Sequence, residues 1–218
     1  MPSAAEPRRA DAFVVTMVTD GGAAGVDAAA LVARVTAAAR AGVDVVQVRE
    51  KALTDRALRG LVSAVRAGLA STATRLLVNG RPDVAVAAGA DGVQVPEEGL
   101  PVSAVKRAFP SLTVGASCHS VEAARRAAEE GADFVLLGPV FGTPGKEERA
   151  LGLDVLAAAA AAVTVPVFAI GGVTPAGVPA LRAAGARGGA AIRPFLEGPA
   201  DAIMRAFRAA EGGSPSST

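Results

Sequence analysis

Short runs rich in Val, Leu and Ile alternate with longer Ala-rich stretches through most of the chain. The runs are FVVTMV (13–18), DVVQVR (44–49), RLLVN (75–79), DGVQV (91–95), LTVGAS (112–117), DFVLLG (133–138), PVFAIG (166–171) and GAAIR (189–193). They are mostly apolar rather than alternating, which is the pattern of parallel strands buried on both faces. Between them the period changes to that of a helix. In TDRALRGLVSAVRAGLA, residues Leu58, Leu61, Val62, Val65 and Leu69 share one face, and Thr54 stands where an N-cap is needed. Thr174 followed by Pro175 reads as N-cap then first helical residue. The alanine run at 157–163 is read as helix.

Three phrases, AGVDVVQV, AGADGVQV and EGADFVLL, each place a glycine at a helix C-terminus, then a short connector, then a strand. Eight strands with interleaved helices and no break in composition predict a single α/β domain, a (β/α)8 TIM barrel over residues 11–211. Residues 1–10 and 212–218 have the composition of disordered tails. A doubly wound open sheet is the runner-up, but MVTDGGAAG after the first strand fits a dinucleotide-binding glycine pattern poorly.

Composition narrows the picture. The chain is 51% hydrophobic but only 3% aromatic, with no Trp or Tyr, so Ala, Val, Leu and Ile must build the core. With 22 basic and 21 acidic residues the net charge is +1, which predicts no nucleic-acid footprint and no membrane-binding patch. No run reaches the ~18 apolar residues of a membrane span, and MPSAAEPRRADAF carries no apolar signal core, so a cytoplasmic location is expected. The single cysteine rules out an intramolecular disulfide.

In a barrel of this kind chemistry belongs at the C-terminal strand ends. Gln47, Arg49 and Lys51 close the second strand with a spacing that aims them to one side. Asn79 closes the third strand and Gln94 the fourth; Ser117 and His119 close the fifth, and the sixth runs into a loop holding Thr143 and Lys146. Two of the three lysines thus fall in the expected mouth. Alternation puts Ser117 and His119 on one side and Cys118 on the other, so a Cys–His pair is not expected. His119, the only histidine, is the expected acid–base group. Gly171 and Gly172 after the seventh strand, with Ile192 and Arg193 after the eighth, occupy the usual phosphate-binding loops of such barrels.

These segments resemble the thiamine phosphate synthase/TenI family over roughly residues 12–208, through QVREK, LLVNGRPDVA, GADGVQV, VGASCHS, GADFVLLGPVFGTPGK, GLDVL and PVFAIGGVTP in order. The family contains two activities: a Mg²⁺-dependent synthase joining a pyrimidine diphosphate to a thiazole phosphate, and a thiazole tautomerase, TenI proper. The resemblance implies diphosphate contacts at Gln47, Arg49, Lys51 and Lys146, and pyrimidine-side contacts at Asn79, Ser117 and Thr143. It also implies two Mg²⁺-binding aspartates, one after Asn79 and one at the end of VPEEG. Gly80 and Gly99 stand there instead. The NGR and VQVP segments are similar to the tautomerase branch, whose catalytic histidine would map onto His119. The family's usual serine in the last phosphate loop is Arg193 here.

The expected function is therefore a thiazole tautomerase that aromatises a carboxythiazole phosphate without a cofactor. A Mg²⁺-dependent synthase is the alternative, with Glu97 or Glu98 as a shifted ligand in place of the carboxylate lost at Gly99 and nothing replacing the one lost at Gly80. A Schiff-base aldolase using Lys51 or Lys146 and a non-catalytic phosphate-ligand-binding barrel are the remaining rivals. The expected partner is a small phosphorylated thiazole, with no nucleic acid or membrane, and a homo-oligomer is left open.

Overall fold

Eight parallel strands close into a barrel in the computed structural model, which describes residues 11–20, 27–142 and 147–212. The strands are β1 (Val14–Val18), β2 (Val45–Val48), β3 (Arg75–Asn79), β4 (Gly92–Val95), β5 (Thr113–Cys118), β6 (Phe134–Leu137), β7 (Val167–Ile170) and β8 (Gly188–Ala191). Each pairs with its sequence neighbours, and β8 returns to β1 with Thr16 beside Ala190. Helices α1 (Ala28–Arg40), α2 (Asp55–Gly68), α3 (Pro82–Ala87), α4 (Val102–Ala108), α5 (Val121–Glu129), α6 (Gly152–Ala162) and α7 (Val178–Ala183) follow strands one to seven in turn. Two more, α8 (Arg193–Glu197) and α9 (Ala200–Glu211), follow β8. This is the (β/α)8 barrel expected from the strand pattern. The expected tails, residues 1–10 and all but the first residue of 212–218, lie outside the described residues.

The alternation of each strand sorts the core into two parts. Outward residues such as Val15, Met17, Val46, Val78, Val114 and Cys118 pack against the helices. Inward residues fill the barrel axis, where Val18, Leu136 and Ala190 pack with Phe168, Ile170 and Ile192. Bulk is balanced by glycine. Phe134 and Phe168 lie with ring centroids 5.1 Å apart, and a side chain at Gly115 would occupy the space of the Phe134 ring.

The three repeated phrases turn out to build one device. Gly42, Gly89 and Gly131 end α1, α3 and α5 with positive φ, which glycine adopts without a Cβ penalty. The aspartate two residues on then accepts the backbone N–H of the second residue of a neighbouring strand. Asp44 takes Val15 N, Asp91 takes Leu76 N and Asp133 takes Val114 N, each at 2.7 Å. A base from the helix layer pairs with each: Arg208, Arg66 and Lys106 at 3.1, 3.1 and 2.9 Å. This end of the barrel is thereby built for register and stability. Helix α2 opens as expected, with Thr54 Oγ1 accepting from Ala57 N at 3.4 Å. Thr174 departs from expectation. It has extended backbone before Pro175, but its side chain makes no cap bond, and a 3-10 turn (Pro175–Gly177) precedes α7.

Candidate active site

The C-terminal rim is tied together by short polar links. Thr19, just past β1, donates its hydroxyl to Glu50 at 2.7 Å and accepts from Arg49 N at 3.0 Å. This sets the backbone from which Arg49 reaches Asp20, with 3.5 Å between Nη1 and Oδ1. Lys51 follows in an exposed turn. Gln47, expected beside them at the strand end, is buried at 3% exposure in register with Leu77. The ladder of β2 stops at Val48, so Gln47 is its last inward residue and forms floor rather than rim. Gln94 does the same on β4. It is wholly buried, donates from Nε2 to Ser117 Oγ at 3.0 Å, and leaves Oε1 without a partner.

These glutamines separate the rim from a cavity of about 1120 Å³ below, lined also by Thr16, Phe134 and Phe168 and open at the N-terminal strand ends beside Asp44 and Asp133. Size alone would make that cavity the site. Its rim is the stabilising aspartate end, however, whereas barrel chemistry sits at the other face.

His119 lies elsewhere than the pleat implies. The expectation placed it facing inward beside Ser117. Instead β5 ends at Cys118, and Ser120 already caps α5 by accepting from Ala123 N at 3.1 Å. His119 is the single residue between strand and cap, so its direction is set by the turn, and its side chain is 63% exposed. Its ring lies against the loop after β4, with Nδ1 2.7 Å from Glu97 Oε2; the same oxygen accepts His119 N at 2.8 Å. Nε2 has no partner among the described residues. Glu97 enters the sequence reading only as a candidate shifted metal ligand; its contact with His119 has no signal there, because it stands in an aperiodic loop. Cys118 faces the helix layer, where burial, and next the charge of Glu97, push its thiol up to about 12.

Further round the same rim, Gly171 and Gly172 follow β7 with φ of +92° and +63°. A Cβ would come within 2.5 Å of Pro139 at the first and 2.6 Å of Phe141 at the second, so the loop packs too closely for other residues. Because β7 pairs with β8, this loop lies beside Ile192 and Arg193, where α8 begins. Arg193 is exposed, with Nε 3.5 Å from Glu197. Asn79 sits half-buried at the end of β3. Thr143 and Lys146 lie outside the described residues.

The positions that the resemblance assigns to Mg²⁺ do not fit that ion. Gly80 has φ +70° and donates its N–H to Gln94 O at 2.8 Å. Gly99 closes a turn onto Pro96 O at 2.8 Å, and a Cβ there would sit 2.9 Å from that oxygen. Neither supplies the carboxylate by which proteins usually hold Mg²⁺. Asp55 and Asp83 are held by Arg81, which bonds both carboxylates and pulls each below its ordinary value. Among the described residues, no three or more His, Cys, Asp or Glu side chains group to hold a metal.

A closed parallel barrel with polar and basic side chains gathered at its C-terminal rim has the layout of the (β/α)8 enzymes. The chain belongs to the thiamine monophosphate synthase family (TMP-TENI), whose model matches residues 15–195. It is 43% identical over 203 residues to a thiamine-phosphate synthase of Methanoculleus marisnigri, covering 91% of this chain and 93% of that one. A putative thiamine-phosphate synthase of Geobacter sulfurreducens is 41% identical over 190 residues, covering 86% and 88%. Among solved structures, thiamine phosphate pyrophosphorylase from Pyrococcus furiosus superposes with a TM-score of 0.81 at 28% identity, covering 91% and 95%. The family assigns the chain to thiamine biosynthesis, with small phosphorylated molecules as its substrate class. No helix among the described residues is long and apolar enough to cross a membrane.

Proposed function

We propose that the chain is a thiazole tautomerase, which aromatises a carboxythiazole phosphate by proton transfer through His119. One observation carries the reading: the rim offers an exposed imidazole whose Nε2 has no partner among the described residues, while the positions assigned to metal-binding aspartates are glycines. Tautomerisation moves one proton from one ring-system atom to another and changes no oxidation state. It therefore needs a base that also returns the proton. Neutral imidazole does both near neutral pH, and positioned acid–base help of this kind is worth about 10²–10⁴-fold. His119 Nε2 takes the proton and delivers it to the conjugate position, and the aromatic product supplies the driving force.

The other rim groups hold the substrate in this reading. The backbone amides of Gly171 and Gly172, with Ile192 and Arg193, take the phosphate. Arg49 and Lys51 face the carboxylate, and Asn79 and Ser117 supply further polar contacts. Thr143 and Lys146, outside the described residues, are assigned to the same pocket by their place after the sixth strand and by the resemblance. The reaction as written requires no cofactor.

The names of the relatives favour a second reading, Mg²⁺-dependent synthesis of thiamine phosphate from a pyrimidine diphosphate and a thiazole phosphate. The retained basic residues Arg49 and Lys51 suit a diphosphate equally well. Two assays of the unmodified protein separate the readings. The tautomerase forms aromatic thiazole from its non-aromatic tautomer at the same rate with EDTA, and releases no diphosphate from the synthase substrates. EDTA-sensitive diphosphate release, without tautomer turnover, establishes the synthase instead. Affinity for phosphorylated ligands without turnover in either assay leaves a binding barrel.

A further inference from the structure

We infer that Glu97 is the positioning residue for His119, fixing the neutral ring as its Nδ1–H tautomer so that Nε2 is the proton-accepting atom presented at the rim. The inference deepens the tautomerase reading, and its catalytic half rests on that reading. Glu97 leaves β4 one residue after Pro96, and His119 leaves β5 directly after Cys118. The two strands are paired, with Val95 beside Ala116, so the two side chains meet across adjacent strand ends. Glu97 Oε2 lies 2.7 Å from Nδ1 and 2.8 Å from the backbone N of the same histidine.

A carboxylate only accepts hydrogen bonds. The hydrogen between it and a neutral ring therefore belongs to Nδ1, and the lone pair is left on Nε2. The second bond, from His119 N, anchors the carboxylate to the backbone of the residue whose ring it orients. Rotating the ring away would break a charge-assisted bond while leaving the other in place. Glu97 is the more sheltered partner, with 23% of its side chain exposed against 63% for His119. Glu97 itself lines a cavity of about 330 Å³, together with Glu98, Arg126 and Glu130. Among the described residues, Glu97 is the only bonded partner of the ring. A base oriented by a third group is the recurring arrangement in acid–base sites.

The chain contains one histidine, so protein labelled with ¹⁵N in the imidazole reports a single ring. Two-bond ¹H–¹⁵N spectra of the neutral ring distinguish its tautomers directly. The expected wild-type ring is Nδ1–H. Glu97→Ala should shift it toward the Nε2–H form, whereas Glu97→Gln, whose amide oxygen still accepts, should retain Nδ1–H. Turnover of the thiazole tautomer should fall about 10- to 100-fold in Glu97→Ala with KM within about twofold, and recover in part in Glu97→Gln. An Nε2–H ring in the wild type, or an unchanged spectrum in folded Glu97→Ala, overturns the inference. If the spectra behave as expected but the wild type turns over no thiazole, the positioning role stands and the tautomerase reading falls. Should Glu97→Ala fail to fold, the wild-type spectrum still decides between the two tautomers.

Discussion

Cys118 and His119 are adjacent and yet belong to different environments. The thiol points into the packing between barrel and helices, and the imidazole stands on the rim. With its thiol pushed up to about 12, Cys118 stays protonated at ordinary pH. Folded protein should therefore resist a thiol-alkylating reagent at pH ~8 that labels the denatured chain at once. Cys118→Ala should cost about 1–2 kcal/mol in urea unfolding and leave turnover unchanged; loss of turnover would revive a Cys–His pair. The alternation of GASCHS correctly puts Cys118 on the helix side. It overreaches by one residue at His119, because the strand ladder ends at Cys118 and Ser120 already serves as a helix cap. The pairing of Glu97 with His119 had no comparable signal. A loop residue has no period, and only the folded distance shows its contact with the ring.

At the scale of elements, the strand ends divide by task. The aspartates before β2, β4 and β6 bind neighbouring backbone at the N-terminal end. Asp133→Ala would leave the sheltered Val114 N–H without its acceptor and free Lys106. The expected cost is about 1–3 kcal/mol, read by chemical denaturation, with turnover retained. An unchanged midpoint would remove the register role. At the other end the loop after β7 is built for close approach. Gly171→Ala forces a side chain into positive φ and against Pro139, so it should cost more than about 1 kcal/mol and weaken phosphate-bearing ligands in calorimetry. Undiminished affinity would place the phosphate elsewhere. The strands were readable because parallel strands buried on both faces leave continuous apolar runs. The layer of Gln47 and Gln94 was not, since a polar inward residue near a strand end looks the same whether it forms rim or floor.

For the whole molecule, Arg81 joins the starts of α2 and α3 through Asp55 and Asp83, a pairing that no periodicity reveals. Both carboxylates titrate below their ordinary value of 3.8 in the folded protein. The unfolded chain therefore binds protons first. The pairing stabilises fully above the unfolded pKa and is lost as pH falls through the lower folded one. Arg81→Ala should flatten the fall in stability below pH ~4, followed by urea unfolding across an acid series; an identical acid profile would show that the solvated pair contributes nothing. The barrel as a whole followed from the order of its strands, whereas the chemistry depends on a few residues beyond strand ends.

Formation of aromatic thiazole phosphate in EDTA, compared between the unmodified protein and His119→Asn, addresses that chemistry directly. The exposed ring makes few packing contacts, so the variant should keep its melting temperature and its affinity for a thiazole phosphate. Its turnover should fall by about 10²-fold or more. Turnover by the variant within threefold of the unmodified protein, or turnover that EDTA abolishes, would contradict metal-free proton transfer through His119.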